Sequence, residues 1–113
     1  MTPTETVLAN SHASAEVVTA DGRKISLRQI HALDRLRLFK AAGPVLAQNQ
    51  PWLGMAALAW CVTAIDGVPV PTPGNEAQIE ALIARLGDEG TEAIATWLDA
   101  EDEAAERRSD PGN

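Results

Sequence analysis

Tyrosine is absent from these 113 residues, and phenylalanine and cysteine occur once each. Each scarcity closes off a class of function. The lone Cys61 cannot form an internal disulfide, and in its apolar run it reads as a buried thiol suited to a reducing compartment. No paired-Cys or H-E-x-x-H spacing offers a zinc site. The basic stretch from Arg23 to Lys40 contains only Phe39 as a stacking ring, too few for a single-strand nucleic-acid binder. The N-terminus lacks a basic n-region and a sustained apolar segment, so no signal peptide is expected. Gly43-Pro44 and Gln48-Asn49-Gln50-Pro51 interrupt the longest uncharged run, residues 41–65. What remains is shorter than the roughly 20 residues a membrane span needs. These absences predict a cytoplasmic protein that binds neither membrane nor nucleic acid.

Catalytic patterns are equally scarce. Ser26, His31 and Asp34 are the one Ser/His/Asp set close in sequence, with nothing like the G-x-S-x-G nucleophile turn around them. Two possible ligands, His31 and Asp34, do not make a metal site, and His12 lies in a polar arm. Gly87-Asp88-Glu89-Gly90 lacks the Lys and Ser or Thr of a phosphate loop, and its acids would repel phosphate. The acid run from Asp99 to Glu106 lacks the spacing and turn glycine of a calcium loop. No enzyme and no cofactor are expected.

Charge, by contrast, is plentiful and segregated. Residues 1–22 carry three acids and no base, residues 23–65 six bases against Asp34, and residues 66–113 twelve acids against three arginines. A basic middle of +5 thus lies between ends of -3 and -9, for a total of -7. The acidic total disfavours non-specific contact with nucleic acid or anionic lipid, while the basic middle suits an acidic protein partner.

Residues 1–14 read as a flexible arm and residues 99–113 as an acidic, disordered tail, with one domain over residues 15–98. Two β-prone runs around Asp21-Gly22 predict a hairpin with a type I′ turn, Ile25 and Leu27 on its apolar face. Helices are expected over residues 32–42, 51–65, 75–86 and 88–98. His31 stands at the first cap, Asn75 at the third, and Gly87 in the left-handed position between the last two. In the first helix Leu33, Leu36 and Phe39 are expected to face inward. The second is apolar all round and uncharged, which marks it as the core helix, with Trp60 at its centre. Val68-Pro69-Val70-Pro71-Thr72-Pro73 cannot be helix or central strand and reads as a stiff extended strap. The fold class is mainly α (α+β): an N-terminal β-hairpin followed by about four helices in a small bundle.

The segments DGRKISLRQIHALDRLRLFKAAGP, NQPWLGMAALAWCVTAIDGVPVPTP and IEALIARLGDEG resemble a family of short proteins from the tail-gene cluster of long-tailed phages and prophages, the tail assembly chaperones. His31 departs from the small hydroxyl residue expected at that cap. The resemblance implies a non-catalytic protein of the host cytoplasm, absent from the mature virion. Such a protein binds and solubilises the tape-measure protein and helps recruit tail-tube subunits. Alternatives are a minor virion structural protein of the tail-completion or connector type, or an acidic regulatory binding protein. The partner surface is expected on Arg35, Arg37, Leu38 and Lys40 of the first helix. Val68 and Val70 of the strap and Trp97 are expected to add to it, and homo-oligomers are compatible.

Overall fold

The computed structural model describes residues 14–109. All but Ser14 of the expected arm lies outside the described residues, as does the chain beyond Ser109. Strands β1 (Ala15–Val18) and β2 (Lys24–Leu27) are followed by helices α1 (Ala32–Leu46) and α2 (Gln50–Cys61). Strands β3 (Val62–Ile65) and β4 (Val68–Pro69) come next, then helix α3 (Glu76–Ser109). The strands form one antiparallel sheet in the order β1-β2-β3-β4. The fold is therefore mixed α+β, with four strands and three helices among the described residues where a hairpin and about four helices in a bundle were expected.

The expected hairpin is present, with Ala15 opposite Leu27 and Val18 opposite Lys24. Its turn differs. The Thr19 N–H donates to the Arg23 carbonyl and the Gly22 N–H to the Thr19 carbonyl, both at 2.9 Å. Among these residues only Gly22 has positive φ, at 90°. That is a three-residue loop with a glycine bulge, since a type I′ turn needs two positive φ values. The type I′ geometry occurs instead at the second Asp-Gly, where Asp66 (φ 50°) and Gly67 (φ 80°) join β3 to β4. The predicted second helix accordingly ends at Cys61 and not at residue 65. Val62, Thr63 and Ile65 are β-branched, and they gain more from pairing with β2 than from another helical turn.

β3 pairs Val62 with Leu27 and Ala64 with Ser26, leaving Thr63 as an extra residue. Strict alternation would put Val62 and Ile65 on opposite faces, but this bulge lets both enter the core beside Ile25 and Leu27. Proline is tolerated in β4 because that strand is an edge. α2 packs against α1 and α3 and buries Leu53, Ala56, Leu58, Ala59, Trp60 and Cys61, while the sheet meets α3 through β1.

Two helices are broken as the glycines foretell, α1 at Gly43 and α3 at Gly87. The Arg23 guanidinium donates to the Arg85 and Leu86 carbonyls at 3.0 and 2.6 Å, satisfying the last acceptors before the Gly87 break. Asp21 in turn accepts from Arg23 at 3.0 Å and from the Thr19 hydroxyl. Those two donors, the hydroxyl first, hold the Asp21 carboxyl below the usual range. One polar chain thus ties the hairpin loop to the end of a helical segment. Asn49 and Asn75 cap the other helix starts, accepting from the N–H groups of Trp52 and Gln78.

Of the expected acidic tail, residues 99–109 continue α3 as helix, and Glu101 accepts a 2.9 Å hydrogen bond from Gln29. The rest of that stretch lies outside the described residues.

Candidate partner-binding surface

α1 carries apolar residues on two sides, and packing selects the smaller set. Leu38 (3 % exposed) and Ala42 face the core. Ala41 and Leu46 pack partly against it. Leu33, Leu36 and Phe39, expected inward, are 55, 65 and 44 % exposed. The alanines account for the choice, because small side chains let α1 approach α2 closely. Leu38, expected on the partner surface, is instead a core residue.

The inversion turns the strongest apolar stripe of α1 toward solvent. Leu33, Leu36 and Phe39 recur every three residues and share one face. At about 100° per residue, Lys40 projects within this stripe, Arg37 beyond its Leu33 side and Arg35 beyond its Phe39 side. All three bases are exposed, and none forms an ion pair with a described residue. Phe39 and Arg35 also edge a groove of about 260 Å³ between α1 and α2, floored by Ile30, Leu53 and Ala57.

Local chemistry holds the start of α1 in place. The His31 N–H donates to Asp34 at 2.9 Å, and Arg28 pairs with the same carboxylate at 3.1 Å. Both depress the Asp34 pKa, the backbone bond most. Asp34 therefore reaches back to serve the cap that His31 fills poorly.

The remaining predicted residues lie elsewhere. Val68 is exposed on β4, and Val70 is half-buried, its N–H donating to the Thr63 carbonyl at 2.9 Å. Val70, Pro71 and Pro73 face Leu82 and Arg85 of α3 across a cleft of about 320 Å³. Trp97 lines a third groove, with Val17 and Val18 of β1. Arg35, Arg37 and Lys40 are thus brought together, while Val70 and Trp97 belong to separate faces. Trp52 is half-buried, its indole N–H donating to Glu80 at 3.1 Å.

Sequence reasoning missed the stripe itself. The usable signal was the pair Ala41 and Ala42, which mark the close-packed side of α1 when placed on the wheel with Leu38.

Chemical reactivity is muted at the one thiol. Burial pushes Cys61 up to about 11 from an ordinary 9.0. Below pH 9 the thiol is neutral in both folded and unfolded chains. Between pH 9 and 11 the unfolded chain loses its proton first, so stability falls as pH rises through this window. The expected loss is about 2–3 kcal/mol, read from urea midpoints between pH 8 and 11, and Cys61→Ala should lack that part of the fall. Among the described residues no group of three or more His, Cys, Asp and Glu is placed to hold a metal ion. No described helix is long and apolar enough to cross a membrane.

Compared with protein-family models, with curated proteins and with solved structures, the chain matches none.

Proposed function

We propose that this chain is a non-catalytic assembly chaperone of long-tailed phages, and that α1 receives an amphipathic helix of the tape-measure protein. The observation carrying this reading is the exposed stripe Leu33, Leu36 and Phe39, bordered by Arg35 and Arg37 and with Lys40 projecting within it. A contiguous apolar strip that folding leaves in water marks a contact surface. Its basic border selects a helix whose apolar face is flanked by acids, in the helix-on-groove mode of recognition. The groove beside Phe39 offers room for one larger side chain of that helix. The resemblance to tail assembly chaperones names the client, a long helical protein that needs a soluble escort before the tail tube forms around it. Recruitment of tail-tube subunits belongs to the same reading, as does release of the chaperone before the particle is complete.

Co-expression with the tape-measure protein, followed by pull-down, tests the proposal. Wild type is expected to retain and solubilise the client, and Leu36→Asp with Phe39→Asp to lose it. Reversing Arg35 and Arg37 to Glu should weaken binding by about 1–3 kcal/mol where the pairs are desolvated, and less at an exposed rim. Failure of wild type to retain the client defeats the chaperone reading. Retention by the Leu36/Phe39 variant moves the contact off α1. Stoichiometric presence of the chain in purified virions favours a minor structural component instead.

A further inference from the structure

The groove between β1 and α3 has the opposite character to α1. Val17 and Val18 of β1 and Trp97 of α3 form the apolar walls of a cleft of about 370 Å³, rimmed by Glu89 and Glu92 of α3. Val18 is exposed although large and apolar. Neither glutamate forms an ion pair with a described residue. The acids stand three positions apart on the same helix, so both face the cleft from one side.

We propose that this cleft receives the α1 stripe of a second copy of the chain, giving a head-to-tail assembly. The argument is one of complementarity. One face is apolar with bases, Arg37 and Lys40, that pair with no described residue; the other is apolar with acids, Glu89 and Glu92, that likewise pair with none. Their lengths also agree. Leu33 to Phe39 spans about 9 Å of helix and Glu89 to Trp97 about 12 Å. Two α1 faces set against each other would oppose bases to bases, and two clefts acids to acids. Symmetric pairing is therefore disfavoured on either surface, whereas the mixed contact matches charges. A contact between two different patches leaves one free α1 and one free cleft at the ends, so it extends into chains or closes into rings. A single helix face falls short of the roughly 800 Å² per partner of a standard interface, so association is weak and concentration-dependent. This contact uses the α1 face assigned to the client, but its test requires no client.

Sedimentation of the full chain at physiological salt provides that test. The average mass of wild type is expected to climb past the dimer as concentration rises toward about 10⁻³ M, the range of weak specific contacts. Arg37→Glu with Lys40→Glu, and separately Glu89→Lys with Glu92→Lys, should each remain monomeric. All four positions are exposed, and circular dichroism should show both variants folded. Mixing the two variants restores matched charges at both contacts, so the mixture should associate again. A wild type that stays monomeric throughout overturns the proposal. So does a mass that stops at the dimer, or a mixture that stays as monomeric as its components.

Discussion

Trp60→Ala is expected to destabilise the fold by about 3–5 kcal/mol, the range for removing a large aromatic from a packed core. Trp60 sits in the last turn of α2, just before the chain turns into β3, and is 5 % exposed. Its indole N–H is buried and finds no hydrogen-bond acceptor among the described residues. The side chain therefore contributes volume and contact, while its one polar atom works against it by about 1–3 kcal/mol. This split makes a second variant informative. Trp60→Phe leaves a smaller cavity and removes the orphan donor, so it should cost much less than the alanine. Urea midpoints at constant m-value measure both. An alanine variant as stable as wild type would place Trp60 outside the core. A phenylalanine variant as damaged as the alanine would show that the N–H is satisfied after all.

The second large effect separates two leucines two residues apart. Leu38→Ala is expected to cost about 2–5 kcal/mol, because Leu38 is enclosed where α1 meets α2. Leu36→Ala should stay within about 0.5 kcal/mol of wild type, as for a surface change away from caps and networks. Thermal unfolding resolves the two easily, since about 1 kcal/mol moves the midpoint of a domain this size by some 4–8 °C. The reverse result would turn α1 over and withdraw its exposed stripe, and with it the surface on which both binding proposals rest.

Local features of the fold were legible wherever a residue type has one physical use. Alternation placed Ile25 and Leu27 in the core, proline ruled out a helix over residues 69–73, Asn75 capped α3, and Gly43 and Gly87 broke their helices. Two Asp-Gly pairs show where such reading stops. Both tolerate positive φ, yet only the second adopts the type I′ turn, because strand partners decide which turn closes. At residues 62–65 the mainly apolar Val-Thr-Ala-Ile fits a helix end and a buried strand equally well. The tie is broken by β2, some 37 residues earlier, which no local window contains. The candidate surface suffered similarly. Arg35, Arg37 and Lys40 were assigned to it through charge, but the apolar residues beside them were assigned inward by bulk. Close packing of α1 on α2 favoured Leu38 with the small Ala41 and Ala42.

The sheet has a consequence for how the chain is made. Each of its two hairpins closes over a few residues and can form within microseconds. The seam between them joins Ile25 to Ile65 with α1 and α2 in between, and loop-closure entropy makes it the slower contact. During synthesis at about 5–20 residues per second, roughly 2–8 s pass between the making of β2 and that of β3. Throughout that interval β2 has an edge without its native partner, and Ile25 and Leu27 lack the strand that later covers them. The first partner available to that free edge is therefore whatever else in the cell can pair with a short strand.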